Sequence, residues 1–239
     1  MIFGAIVAGG IGSRLNTEGV PKQFLPIGKQ NKPIIIHTLE KFILCSEFDH
    51  IYLGVHKEWM EYTESLLEKY MSDTGRITIV KGGAERNLTI LNILSKIEED
   101  YGKSNDHIAV THDAVRPFVT LRMIKENITA ALEYGACDTV IEAVDTIIKS
   151  VDGDFLDSVP KRSEMYLGQT PQSFNIESFK EIYSDLSHDE KNILTDACKV
   201  FAFRNKKVKL VRGDASNIKI TTPSDYKIAN AILGGNVCD

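Results

Sequence analysis

The chain is predicted to fold as an α/β domain on a mostly parallel sheet with helices on both faces, from two observations. Short β-rich apolar runs alternate with longer segments of helical period, and the runs are almost continuously apolar. Alternation implies parallel strands joined by helical crossovers, and continuous apolarity implies strands covered on both faces. The strands are expected at 3–8, 51–55, 77–80, 107–111, 139–144 and 208–211. Helical spacing covers 33–42, 58–71, 87–98, 121–134, 176–185 and 224–233. Pro33 suits a first helical turn, where its missing N–H costs nothing. Thr222-Pro223-Ser224-Asp225 has the form of an N-cap followed by proline.

With 239 residues, 43% of them hydrophobic, the chain is long enough for one domain spanning 1–239. A net charge of −5 argues against a protein that coats nucleic acid. Anionic substrates must then be held by a few placed cations. The apolar start Met1-Ile2-Phe3-Gly4-Ala5-Ile6-Val7-Ala8 has no basic leader and falls far short of the roughly 18 apolar residues of a membrane span. Cys45, Cys137, Cys198 and Cys238 form no Cys-x-x-Cys pair, so reduced thiols and a cytoplasmic location are expected.

One stretch breaks the alternation. Residues 145–163 read as two short strands around Val151-Asp152-Gly153-Asp154, a β-arm. An isolated hairpin is marginal in water, so the arm either folds back onto its own domain or, as is expected here, lies on a second subunit.

Ligands of open α/β sheets bind beyond the carboxyl ends of the strands, and four clusters fall there. The first strand runs into Ala8-Gly9-Gly10-Ile11-Gly12-Ser13-Arg14, with Pro21-Lys22-Gln23 following. Gly9, Gly10 and Gly12 let backbone N–H groups approach phosphate oxygens, and Arg14 and Lys22 add charge suited to a triphosphate; the alternative is an ordinary tight turn flanked by surface cations. Neither a P-loop nor a dinucleotide fingerprint is present. After the third strand, Gly82-Gly83-Ala84-Glu85-Arg86-Asn87-Leu88-Thr89 offers backbone donors and a hydroxyl to a base edge, or is simply a glycine-marked helix entry. The fourth strand leads to Thr111-His112-Asp113-Ala114-Val115-Arg116. Here Asp113 either serves nucleotide and Mg²⁺ or makes a turn-holding ion pair with Arg116. Lys219, in Ser216-Asn217-Ile218-Lys219-Ile220, is a cation in an apolar segment: either a snorkelling side chain or a third site cation.

Together, Ala-Gly-Gly-x-Gly-x-Arg with Pro-Lys-Gln, Gly-Gly-x-x-Arg-x-x-Thr, His-Asp-Ala-Val-Arg-Pro, Gln-Thr-Pro-Gln and Asn-Ile-Lys-Ile-Thr resemble one family across nearly the whole chain. It comprises the cytidylyltransferases of methylerythritol phosphate, in isoprenoid synthesis, and of ribitol 5-phosphate, in teichoic acid synthesis. The resemblance implies a Rossmann-like domain, a homodimer joined through the arm, and Mg²⁺ held mainly by the CTP phosphates with Asp113. It gives Arg14, Lys22 and Lys219 to the phosphates and the transition state. Ala8, Gly9, Gly83, Ala84 and Thr89 would recognise cytosine, and Asp113 would sit near ribose and acceptor. Arg116 and Thr170, with Thr146 and Arg162 of the arm, would bind the acceptor. Ala8-Gly9-Gly10, 32–38, 115–118, 166–169 and 194–197 resemble the ribitol branch in particular. From a different class, a catalytically silent nucleotide-binding module stays open, although such a module need not keep all three cations with Asp113. A glycosyltransferase would place its Asp-x-Asp at a strand end, whereas Asp152-Gly153-Asp154 falls in a hairpin turn.

Overall fold

All six expected strands form, and the sheet they build has one member the apolar pattern did not announce. The computed structural model describes residues 1–10, 19–194 and 196–234. In chain order these are β1 (Ile2–Ala8), the two-residue strands β2 (Pro26–Ile27) and β3 (Lys32–Pro33), α1 (Ile34–Ile43), β4 (His50–Val55), α2 (Met60–Tyr70), β5 (Ile77–Lys81), α3 (Arg86–Tyr101), β6 (Ile108–Asp113) and α4 (Leu121–Tyr134). They continue with β7 (Ala136–Glu142), β8 (Tyr166–Asn175), α5 (Ile176–Ser184), α6 (His188–Asn192), α7 (Cys198–Ala202), β9 (Lys209–Arg212) and α8 (Pro223–Ile232). The sheet order is β5-β4-β1-β6-β8-β7-β9.

Pairing is parallel for β4–β5, β1–β4, β1–β6 and β7–β9, and antiparallel where β8 lies between β6 and β7. Strand β8 was missed because it is polar: Tyr-Leu-Gly-Gln-Thr-Pro-Gln-Ser-Phe-Asn. Its buried Gln169, Thr170, Gln172 and Ser173 are tolerated because each finds a hydrogen-bond partner. The five-residue helices α6 and α7 are too short to show a period and were also unannounced. Pro33 is the residue before α1 and pairs with Pro26, so it lies outside the first helical turn where it was expected. Thr222 does cap α8, its hydroxyl accepting from Asp225 N–H with proline next.

Alternate residues of β1 serve opposite cores. Ile6 and Ala8 pack with α1, α2 and α4, while Phe3 and Ala5 pack with α3, α5 and α7. A third cluster of Ile27, Ile34, Val115, Ile220 and Ala229 fastens β2–β3 and α8 beyond the carboxyl ends of the strands. Lys219 lies between Ile218 and Ile220 of that cluster, so its packing constrains where the lysine's backbone lies.

The arm departs from expectation. Its turn forms, with Asp152 Oδ1 accepting from the N–H groups of Asp154 and Phe155. The two strands reduce to a single bridge, Lys149 to Ser158. With no sheet beside it, a ladder there has nothing to stabilise it. Ile148, Val151, Phe155, Leu156 and Val159 are all exposed.

Buried Asn127 of α4 stitches the β7–β8 region. Its Nδ2 donates to Met123 O and Thr139 Oγ1, and its Oδ1 accepts from Ser173 Oγ and Cys137 Sγ. Asn127→Leu strands those donors in the core, and a loss of about 2–4 kcal/mol in stability is expected. Urea unfolding measures it; an unchanged midpoint would remove the network from the account of β8.

Candidate active site

The carboxyl ends of β1 and β6, with the loops that leave β5 and precede α8, enclose a cavity of about 280 Å³. Ala8, Gly9, Gly10, Lys22, Gly83, Ala84, Thr89, Asp113 and Lys219 all line it, joined by Gln23, Glu85 and Arg86. Arg14 and Gly12, expected at the same place, lie outside the described residues.

The loop after β5 is fixed by short contacts. Gly82 N–H donates to Val55 O at 2.7 Å, and Gly83 N–H donates to Thr89 Oγ1 at 3.0 Å. Thr89 in turn donates to Glu85 O at 3.1 Å. The hydroxyl expected to face a base edge thus commits its proton and one lone pair inside the loop, leaving a second lone pair, while the residue lines the cavity. Two glycines make room for Thr89: a Cβ on Gly9 would sit 2.8 Å from its Oγ1, and one on Gly54 only 2.4 Å from its Cγ2. Glycine is needed at both positions for lack of space.

Asp113 is the electrostatic centre. Arg86 Nε lies 3.0 Å from its Oδ1, Lys219 Nζ 2.9 Å from its Oδ2, and Arg116 Nε 3.6 Å from its Oδ2. Burial works to raise its pKa, but Arg86, Lys219 and Arg116 together hold it far below the usual carboxylate value. Asp113 stays ionised, and one negative charge faces three positive ones. The turn-holding pair with Arg116 is real but is the longest of the three contacts.

Lys219 reaches the site because its segment is tied down. Ile220 N–H donates to Val115 O, Arg116 Nη1 donates to Asn217 O at 2.8 Å, and Asn217 Nδ2 donates to Thr170 O at 2.9 Å. The lysine is thus a site cation and not a snorkelling one. Arg116 and Thr170 are brought beside Asp113 but lie behind it, buried and off the cavity wall. Thr170 Oγ1 accepts from Asp113 N–H at 3.2 Å and lies 2.8 Å from His112 Nδ1. His112 Nε2 faces Arg116 O at 3.1 Å. Burial lowers the His112 pKa to about 4, so the ring is neutral; with Nε2–H donating to the carbonyl, Thr170 donates to Nδ1. Thr146 and Arg162 are exposed on the arm and line no part of this chain's cavity.

Three residues went unassigned in the sequence. Arg86 stood inside a quoted motif, but nothing local ties it to an aspartate 27 positions away. Gln23 followed Lys22 without a visible partner. Asp138 lies beside Gln172, on the same sheet face as Thr111 and Asp113, and accepts from Gln172 Nε2 at 3.0 Å. Burial pushes its pKa up to about 6. No group of three or more His, Cys, Asp or Glu side chains able to hold a metal occurs among the described residues. No helix among them is long and apolar enough to cross a membrane.

The family model described as 2-C-methyl-D-erythritol 4-phosphate cytidylyltransferase matches residues 2–235. Among solved structures, the 4-diphosphocytidyl-2C-methyl-D-erythritol synthase of Anaerococcus prevotii is 29% identical, with TM-score 0.79, over 98% of this chain and 96% of that one. The 2-C-methyl-D-erythritol 4-phosphate cytidylyltransferase of Francisella tularensis is 26% identical, with TM-score 0.77, over 96% and 98%. The protein of that name from Thermus thermophilus, at 23% identity and TM-score 0.72 over 98% and 100%, shares the fold.

The raised pKa of Asp138 gives a signed expectation. Its protonated form stabilises the fold at low pH, and that contribution is lost as pH rises through about 6. Asp138→Asn keeps the oxygen that Gln172 addresses and removes the buried charge. The variant should gain roughly 1–3 kcal/mol at pH 8, with the gain shrinking as pH falls from 6 towards 4. Urea midpoints across that range measure it; a gain that grows on acidification would contradict the assignment.

Proposed function

The chain belongs to the 2-C-methyl-D-erythritol 4-phosphate cytidylyltransferase family, and on that premise we propose that it joins CTP to D-ribitol 5-phosphate, forming CDP-ribitol and pyrophosphate. The observation that carries the nucleotidyl-transfer part is the arrangement around Asp113: Lys22, Lys219 and Arg86 converge with a glycine turn on one cavity. Such a surplus of positive charge suits a triphosphate and the charge that builds at its α-phosphorus.

The acceptor phosphate is already anionic and attacks the α-phosphorus in line, so no general base is required. Lys22 and Lys219, with Arg14 as the resemblance assigns it, offset charge on the phosphates. The glycine turn at Gly9 and Gly10 faces them, and the backbone around Ala8, Gly9, Gly83 and Ala84, with Thr89, recognises cytosine. Asp113, held by Arg86 and with Arg116 and Thr170 behind it, forms the floor of the acceptor end. The cavity lining has two acidic residues, Glu85 and Asp113, the latter already facing cations. That lining fits Mg²⁺ carried by the CTP phosphates with Asp113 nearby; when bound, the metal would supply further charge neutralisation.

A homodimer is part of this reading, in which Thr146 and Arg162 of one arm complete the acceptor end of the partner's site. The exposed apolar side chains of the arm support it. So is a cytoplasmic role supplying activated polyol for cell-envelope polymers such as teichoic acid.

The acceptor has two readings. Ribitol 5-phosphate is supported by Ala8-Gly9-Gly10 and by 32–38, 115–118, 166–169 and 194–197, which resemble that branch. 2-C-methyl-D-erythritol 4-phosphate is supported by the family description and the names of the relatives, which favour it over ribitol. Pyrophosphate release with CTP and Mg²⁺ separates them. Turnover with D-ribitol 5-phosphate alone supports the proposal; turnover with the methylerythritol compound alone replaces the acceptor and keeps the chemistry; release with neither favours the silent module. With whichever acceptor is used, Lys22→Ala should stay folded and lose at least about a hundredfold in turnover. Wild-type-like turnover would remove Lys22 from the mechanism.

A further inference from the structure

Gln23 is only 2% exposed although it stands beside a charged cavity. Its Nε2 donates to Ala8 O at 2.8 Å and to Gly10 O at 2.9 Å. A side-chain amide carries two N–H protons, so both are committed, one to each carbonyl flanking Gly9. On its other side Gly9 abuts Thr89 Oγ1, too close for any side chain. The middle of the glycine turn is thus gripped from two directions.

Gln23 itself sits in a single helical turn, Lys22–Phe24. Phe24 N–H donates to Pro21 O and Leu25 N–H to Lys22 O, while the Phe24 ring stacks on Trp59 at 5.1 Å between centroids. This turn has one face anchored in an aromatic cluster and the other bonded to the end of β1. Lys22 is the residue between Pro21 and Gln23, so its backbone is held at a fixed place relative to Gly9 and Gly10.

There is an electrostatic consequence. A turn that receives phosphates must show donors and hide acceptors, because a carbonyl dipole aimed at an anion is repulsive. Ala8 O and Gly10 O are two backbone acceptors of the turn, and Gln23 donates to both.

We propose that Gln23 is a positioning residue of the nucleotide site: one amide group fixes Lys22 against the glycine turn and takes two backbone carbonyls away from the incoming triphosphate. The inference rests on the reading of this cavity as a nucleotide site. It predicts that the residue acts on CTP and not on the acceptor.

The test compares Gln23→Met, of similar length without donors, and Gln23→Glu, of the same shape with an acceptor in place of the donors. Asn127→Leu serves as a variant destabilised at a distance from the site. CTP affinity by calorimetry should fall at least about tenfold in both Gln23 variants, a loss on the scale of hydrogen bonds at a charged site, with the acceptor KM within about threefold of wild type. Asn127→Leu should leave CTP affinity unchanged. CTP binding within threefold of wild type in Gln23→Met overturns the proposal, as does a rise in acceptor KM equal to the loss of CTP affinity.

Should neither variant fold, the wild-type protein still decides. Nitrogen-15 NMR should find both Gln23 side-chain protons slow to exchange with solvent and shifted on adding CTP. Fast exchange overturns the clamp. Wild-type protein that binds no CTP while those protons stay protected overturns the nucleotide reading instead, so the two failures are distinguishable.

Discussion

An ionised carboxylate at the end of a central strand is the constraint around which this molecule is arranged. A buried charge of that kind costs several kcal/mol unless it is paired, and Asp113 has nowhere to go once β6 runs between β1 and β8. The partners come from three separate places: Arg86 at the start of α3, Arg116 just beyond β6, and Lys219 before α8. Each can arrive only if its own element is in register. The hydrogen bonds linking Val115, Asn217, Thr170 and His112 are what keep them so. Ionising one aspartate therefore couples the glycine-rich entry of α3, the polar strand β8 and the approach to α8. The surplus of cations that results is what the cavity offers a polyanion.

Much of this was legible beforehand. The central parallel strands β1, β4 and β6 announce themselves because burial on both faces demands apolar residues at nearly every position. Lys219 was conspicuous for the same reason, as a lysine where the surroundings call for an apolar side chain. Thr222 and Pro223 mark the start of α8 through local chemistry alone. The arm was visible as a break in rhythm and its turn through Asp152 and Gly153, although its strands did not form.

What could not be read depends on contacts made across the chain. Strand β8 escapes because its buried polar residues look like a surface loop until their partners on neighbouring segments are known. Arg86, Gln23 and Asp138 carry no local sign of their roles, since the groups they meet are 13 or more positions away. Thr89 was placed at the cavity, but its contacts inside the loop were not visible. Its hydroxyl lies near the cavity, but the geometry of Gly83 and Glu85 claims it first.

Glu142 and Tyr166 pair directly across β7 and β8, so the chain between them leaves the sheet and returns to the same rung. Closing a longer or shorter excursion there costs little, about 0.6 kcal/mol for each doubling of length. The arm can therefore lengthen, shorten or change composition without disturbing the strands that carry Asp113 and Thr170. A fold divided in this way lets one segment vary while the cavity at the strand ends is kept. Descendants of a common ancestor could then diverge in the excursion, with the sheet beneath inherited unchanged.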